Sequence, residues 1–256
     1  MAHPESTDTR RPQAQDPFAA TRRRFDLPAG VLYLDGNSLG PVPRGVAERV
    51  SARIGEEWGE LLIRGWNEAG WMDEPERVGA RIGRLIGAWE DSVTVGDTLS
   101  IRLFQALSAA LGRHADRPVV LSDTGNFPSD LYMASGLLSH MGGAHRLELV
   151  EPESVMARLD DSVAVLMLTH VDYRTGRLHD MAALTEAAHA LDIPVVWDLA
   201  HSTGAVDVDL AGVDADFAVG CTYKYLNGGP GAPAFIAAAP TWHASIEPIL
   251  AGWLGH

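Results

Sequence analysis

Residues 195–231 read VVWDLAHSTGAVDVDLAGVDADFAVGCTYKYLNGGPG, and this stretch decides the fold class. Val195-Val196-Trp197 is an apolar run of strand length that ends in Asp198, with Ala200-His201-Ser202 just beyond it. Ala215 to Gly220 is the next strand-like run, and Thr222-Tyr223-Lys224-Tyr225 follows it in a Gly-rich loop. Continuous apolar runs of this kind, bounded by polar ends, belong to strands covered on both faces. An acid at one strand end and a lysine past a later strand would face one crevice, because ligands gather beyond the carboxyl ends of such strands. Taken alone, the pair is equally well explained as a buried ion pair.

The same alternation extends outward in both directions. Strands are expected at Ser92–Val95, Pro118–Leu121, His145–Val150, Val163–Thr169, Ile193–Trp197, Ala215–Gly220 and Ala234–Ala237. Helices are expected between them at Ile101–Leu111, Asp130–His140 and Met181–Leu191. Strands separated by helices imply right-handed crossovers and an α/β fold with a mostly parallel sheet. Upstream, Val46, Val50, Ile54, Trp58 and Leu61 recur at helical steps, as do Val78, Ile82, Leu85, Ile86 and Trp89. Between them, Arg64 to Trp71 is too Gly-rich to be read as helix, and its tryptophans suit either core packing or the wall of an aromatic pocket. Val31 to Leu34 is a short apolar run closed by the turn signal Asp35-Gly36-Asn37. The expected organisation is a polar tail over residues 1–24, a helical segment over 25–91, and a ligand-binding domain over 92–256.

Composition narrows the class. The chain has 256 residues, 46% of them hydrophobic, a mean hydropathy of −0.02, and a formal charge of −14 from 20 basic and 34 acidic residues. An acidic balance of this size argues against a nucleic-acid surface and against an anionic membrane as partner. No apolar run is long enough to span a bilayer, and the N-terminal region has no apolar signal core, so a cytoplasmic location is expected. Cys221 is the only cysteine, which removes disulfide frameworks, paired redox cysteines and cysteine-based zinc sites. The ten histidines show no close metal-ligand spacing, and no metal is expected. There is no GxxxxGK[ST] phosphate loop and no GxSxG elbow. Gly229 to Ala234 matches GxGxxA, but two prolines sit inside it and a strand-like run follows, so nicotinamide binding is not expected.

Three features weigh against the simple ion pair. Asp97-Thr98-Leu99-Ser100 leads straight into a helix and forms an anion site at its positive end. Asn126-Phe127-Pro128-Ser129-Asp130 sets an aromatic face beside a helix start. Thr169 places a hydroxyl on the same rim. A carboxylate, a lysine, an aromatic plate and a helix-end phosphate site together describe a pocket for pyridoxal 5′-phosphate. Lys224 would form the Schiff base, since only a primary amine condenses with the aldehyde. Asp198 would hold the pyridine nitrogen protonated, Phe127 would stack on the ring, and Tyr223 could relay a proton. On the residues alone the class of pyridoxal phosphate enzyme stays open.

Four motifs carry a resemblance: Tyr33-Leu34-Asp35-Gly36-Asn37-Ser38-Leu39-Gly40, Asn126 to Tyr132, Asp198-Leu199-Ala200-His201, and Thr222 to Asn227. Together they resemble the kynureninases over residues 25–256. The resemblance implies the large domain of the pyridoxal phosphate fold type I, with an N-terminal helical segment and with the small C-terminal domain lying beyond His256. It implies Lys224, Tyr223 and Asp198 as catalytic residues. It implies cofactor contacts at Leu99, Ser100, Phe127, Pro128, Ser129, Asp130, Thr169, Asp198, His201, Tyr223, Lys224 and Trp253. Trp66 is expected at the aromatic end of the substrate pocket. The implied reaction is hydrolytic Cβ–Cγ cleavage of L-kynurenine, and of its 3-hydroxy form, to anthranilate or 3-hydroxyanthranilate and L-alanine. The implied setting is a homodimer in tryptophan catabolism and NAD biosynthesis. Two other readings stand beside it. One is a cysteine desulfurase of the same fold, with Cys221 as its nucleophile; the other is a truncated, non-catalytic chain.

Overall fold

The computed structural model describes residues 17–252. Seven strands form one sheet: β1 (Val93–Gly96), β2 (Val119–Asp123), β3 (Arg146–Val150), β4 (Val163–Thr169), β5 (Val195–Asp198), β6 (Phe217–Gly220) and β7 (Ala234–Ala238). Their spatial order is β1-β7-β6-β5-β4-β2-β3. Neighbours from β6 to β3 pair in parallel, while β7 lies antiparallel to both β1 and β6. The sheet is thus the mostly parallel one expected. The reversal at β7 follows from the turn before it, where Gly229 and Gly231 both take positive φ and Ala232 N bonds Gly229 O. That turn sends the chain straight back along β6 without a helical crossover.

Both faces of the sheet are covered, which is why β2, β4, β5 and β6 are buried at every position. On one face Val119, Leu121, Leu166, Leu168, Val195 and Trp197 pack against the helices Glu74–Leu85 and Met181–His189. On the other, Val120, Val165, Met167, Val196 and Val219 meet the helices Leu99–Leu111 and Pro128–His140. Each fully buried Leu or Val contributes about 1.5–3 kcal/mol. The Glu74–Leu85 helix approaches β1 so closely that a Cβ on Gly79 would lie 2.0 Å from Val93 O.

Several boundaries differ from expectation. The helix begun at Asp97-Thr98 starts at Leu99 rather than Ile101, because the Thr98 hydroxyl caps it by accepting from Ile101 N. The second N-terminal helix stops at Leu85, before Trp89, where Gly87 turns into positive φ. The first is α-helical over Val46–Ala52 and then widens to a π-helix over Arg53–Leu61. Its apolar stripe is open: Val50, Ile54 and Trp58 are all more than half exposed. The Gly-rich stretch does contain a short helix, Gly65–Glu68, whose Gly65 is required by the Trp71 ring packed 2.6 Å from where a Cβ would stand. Val31 to Leu34 forms neither strand nor helix and is exposed. Among the described residues no helix is long and apolar enough to cross a membrane.

Candidate active site

The carboxyl edges of β1, β2, β4, β5 and β6 point the same way and bring the polar residues of the sequence together. Asp198 ends β5, is buried, and accepts from Ala200 N at 2.9 Å and from the Thr169 hydroxyl at 3.3 Å. Thr169 ends β4 beside it, in register. Lys224 lies four residues past β6 and is only 6% exposed. Its Nζ is 2.7 Å from His201 Nε2, 5.3 Å from the Phe127 ring centre and 5.7 Å from that of Tyr223. A lysine ammonium only donates, so opposite it His201 Nε2 accepts and the imidazole proton sits on Nδ1. Burial, reinforced by the Lys224 charge, holds the His201 pKa down to about 4, so the ring is neutral at pH 7.

Phe127 is held in extended conformation just before Pro128, the first residue of its helix. Its amide donates to Asn126 Oδ1 at 2.7 Å, and Asn126 Nδ2 donates to the Ser122 hydroxyl at 2.9 Å. Ser129 and Asp130 occupy the first turn of that helix. Asp130 is fully buried, and burial, with Asp198 beside it, pushes its pKa well above the usual carboxylate range. Burial also raises Asp198, opposed by the Ala200 amide, Lys224 and Thr169. Tyr223 is half-buried, and burial pushes its phenol up to about 12, which keeps the proton on the oxygen at neutral pH.

Leu99 and Ser100 begin the helix behind β1 at the same sheet edge. Trp66 stands edge-on to Trp71 at 6.3 Å, within the N-terminal helical segment. Trp253 lies outside the described residues. Cys221 is buried against Ala200 O, and burial raises its pKa, the reverse of what a nucleophilic thiol needs.

Three groups of residues emerge only in three dimensions. Tyr173 stacks on His201 at 6.0 Å and meets Phe127 edge-on at 4.9 Å. Asp123, at the end of β2, accepts from Gly125 N with one oxygen and pairs with His179 and Arg177 through the other. His170 follows Thr169, is buried edge-on to Trp197, and is held down to about 4 by burial and by His179. No local pattern marks these contacts. One signal was available in the sequence: Lys224 is the only lysine among the 256 residues.

The site fits a polar aromatic cofactor. Among the described residues, neither of the two buried Asp130 carboxyl oxygens nor the buried His201 Nδ1 has a hydrogen-bond partner. Groups of this kind are costly unless a ligand engages them. They surround the one primary amine side chain of the protein, beside an aromatic face.

Comparison with known proteins gives the same picture. The family model for aminotransferase class V matches residues 140–252. A kynureninase of Burkholderia mallei (strain ATCC 23344) is 52% identical over 246 residues, 94% of this chain and 59% of the relative. One of Pseudomonas fluorescens is 51% identical over 248 residues, 95% of this chain and 60% of the relative. The chain therefore spans about three fifths of the length of the curated relatives it matches. Among solved structures, the apo cysteine desulfurase from Thermococcus onnurineus NA1 superposes with a TM-score of 0.74 at 20% identity, covering 91% of this chain and 60% of that one. A C-DES mutant, with glycine covalently linked to its pyridoxal phosphate cofactor, superposes at 0.73 and 16% identity, over 91% and 63%. At such identities the structural likeness establishes the shared α/β fold and no more. The sequence likeness is closer: about half the residues over most of this chain are identical to those of kynureninases.

Proposed function

We propose that the chain carries the cofactor site of a pyridoxal phosphate-dependent kynureninase, which hydrolyses the Cβ–Cγ bond of L-kynurenine to give anthranilate and L-alanine. The observation that carries this reading is the buried Lys224 amine on neutral His201, in one crevice with Asp198, in a chain that shares half its residues with kynureninases. When bound, pyridoxal phosphate supplies an aldehyde that exchanges between amines and a ring that withdraws electrons from a substrate Cα.

The chain's own residues are suited to the remaining tasks. Lys224 Nζ is the amine that would anchor the cofactor and later move the Cα proton. Asp198, buried at the end of β5 with Thr169 and the Ala200 amide holding its oxygens, is the carboxyl that would sit against a ring nitrogen, and the Lys224 charge favours its ionised form. Phe127 and the His201–Tyr173 stack supply the apolar faces that exclude water from the ring. The free amides at Leu99 and Ser100, behind the Thr98 cap, suit a phosphate group. Tyr223, which keeps its phenolic proton at neutral pH, would be placed to donate it at the substrate Cβ. Pro128, Ser129 and Thr169 complete the proposed cofactor contacts, with Trp253 among them and Trp66 toward the substrate ring. We also read the protein as a homodimer acting in the cytoplasm on tryptophan-derived substrates, including 3-hydroxy-L-kynurenine, and feeding NAD synthesis; the lone Cys221 suits a reducing compartment. Residues 25–91 serve as its helical segment and 92–256 as its cofactor domain.

The test is reconstitution of the purified chain with pyridoxal phosphate, borohydride reduction and mass mapping, followed by anthranilate fluorescence with kynurenine. The label should fall on Lys224, and Lys224→Ala should lose both label and turnover. Normal turnover in Lys224→Ala would overturn the assignment.

A further inference from the structure

Two of the motifs that carry the resemblance, 33–40 and 222–227, touch each other around Lys224. Residues 31–41 form no strand or helix, and Leu32 and Leu34 are largely exposed. Yet one end of this segment is fixed on the backbone of the lysine loop. Gly40 N donates to Tyr223 O at 2.9 Å. Asn227 Nδ2 donates to Pro41 O at 3.0 Å, across 186 positions of sequence, while Asn227 N donates to Lys224 O at 3.1 Å. Tyr33 closes the segment on itself by donating to Leu39 O at 2.7 Å.

The carbonyls of Tyr223 and Lys224 are therefore both held, one by Gly40 and one by Asn227. The contact leaves no room, since a Cβ on Gly40 would stand 2.2 Å from Lys224 O and 2.4 Å from Asn227 Nδ2. Asn227 itself adopts φ +58°, a left-handed conformation that Asn accepts more readily than most residues.

We propose that Gly40 and Asn227 are positioning residues for Lys224. They fix the peptide planes on either side of its Cα, and so set the direction in which a side chain with four rotatable bonds enters the crevice. Lys224 Nζ then meets His201 Nε2 without a search over rotamers. The N-terminal segment is by this reading a wall of the lysine site rather than a linker. The inference rests on Lys224 being the cofactor lysine.

Three variants test it. Asn227→Gly keeps the left-handed backbone and removes the Nδ2 donor. Asn227→Asp keeps the size and sets an acceptor against Pro41 O. Gly40→Ala puts a methyl group into the contact. Each chain is titrated with pyridoxal phosphate, its lysine-bound absorbance band is followed against pH, and the reduced product is mapped. Because Lys224 is the only lysine, side-chain labelling reports on it alone. Circular dichroism and thermal midpoints are taken on the same samples. We expect cofactor affinity to fall about fivefold in Asn227→Gly, the effect of one lost hydrogen bond, and further in Asn227→Asp and Gly40→Ala. The pH midpoint of the band should move by about half a unit or more, with the dichroism spectrum unchanged. Wild-type affinity and band midpoint in both Asn227 variants, with only a lowered thermal midpoint, would show a mere fastening and overturn the proposal. These two variants decide the matter even where Gly40→Ala fails to fold. A wild-type chain that takes no label on Lys224 would instead overturn the cofactor reading, and the inference with it.

Discussion

Acidification should destabilise this protein in part through His170, and His170→Gln should remove that share of the effect. His170 is buried behind Thr169, its Nδ1 has no partner, and its pKa is lowered from 6.5 to about 4. The folded form therefore refuses a proton that the unfolded chain accepts, and stability falls as pH drops from about 6.5 towards about 4. At pH 5 the unfolded ring is almost fully protonated and the folded ring about one-tenth so. The difference corresponds to about 2 kcal/mol, against about 0.2 kcal/mol at pH 7. Partial solvent screening of the ring lowers the expected figure to between about 1 and 2 kcal/mol. Asp130 and Asp198 bias the slope in the opposite direction, because their raised pKa values favour the protonated fold, but they act equally in both proteins and cancel in the comparison. The assay is urea unfolding of wild type and His170→Gln at pH 7 and pH 5, with slopes checked for equality. The wild type should lose about 1–2 kcal/mol more than the variant. Parallel losses would refute the argument that burial holds His170 neutral.

Three further outcomes are expected. Asp130→Asn replaces a buried, unpartnered carboxyl and should raise unfolding stability at pH 8 by about 1 kcal/mol or more while weakening cofactor retention; a less stable variant in thermal melts would contradict it. Asp216→Ala strips the acceptor from Val195 N, His189 Nε2 and Trp242 Nε1 at 2.7–2.8 Å, at a cost of about 3–5 kcal/mol in urea unfolding at pH 6. The cost should shrink at higher pH, because Asp216 raises the His189 pKa above 6.5 and the charged pair is lost as pH climbs through that raised value. Gly79→Ala drives a methyl group into Val93 O and should cost about 1–3 kcal/mol; an unchanged melting midpoint would show that the Glu74–Leu85 helix can shift off β1.

Legibility from sequence follows locality. Val163–Thr169 is bounded correctly at both ends because seven consecutive apolar or small residues, all buried, leave no other reading. Asp198, Thr169 and Lys224 fall on one rim, as expected, because parallel strands align their carboxyl ends. The stacking of Tyr173 on His201, the Asn126 brace behind Phe127 and the Asp123–His179 pair are not legible, since each joins residues by packing that no spacing encodes. The first N-terminal stripe misleads for a related reason. Periodicity reports that Val50, Ile54 and Trp58 share a face, and says nothing of what covers that face.

The division between sheet and rim separates what holds this fold from what shapes its site. The seven strands gain their stability from apolar layers on both faces, and any sequence that keeps those layers keeps the platform. The rim works the other way. Asp130 and His201 are polar, buried and, among the described residues, incompletely partnered, and Lys224 buries a charge on a neutral ring, so each weakens the fold that carries it. Such groups persist only when their geometry is fixed by something else, and here the fixing groups are irregular: the Asn126 brace, the Tyr173 stack and the contact of Gly40 and Pro41 with the lysine loop. Substitutions inside the strands should therefore be felt chiefly as stability. Substitutions in these loops should be felt chiefly at Lys224, because the loops set the direction of its amine while the sheet merely supports them.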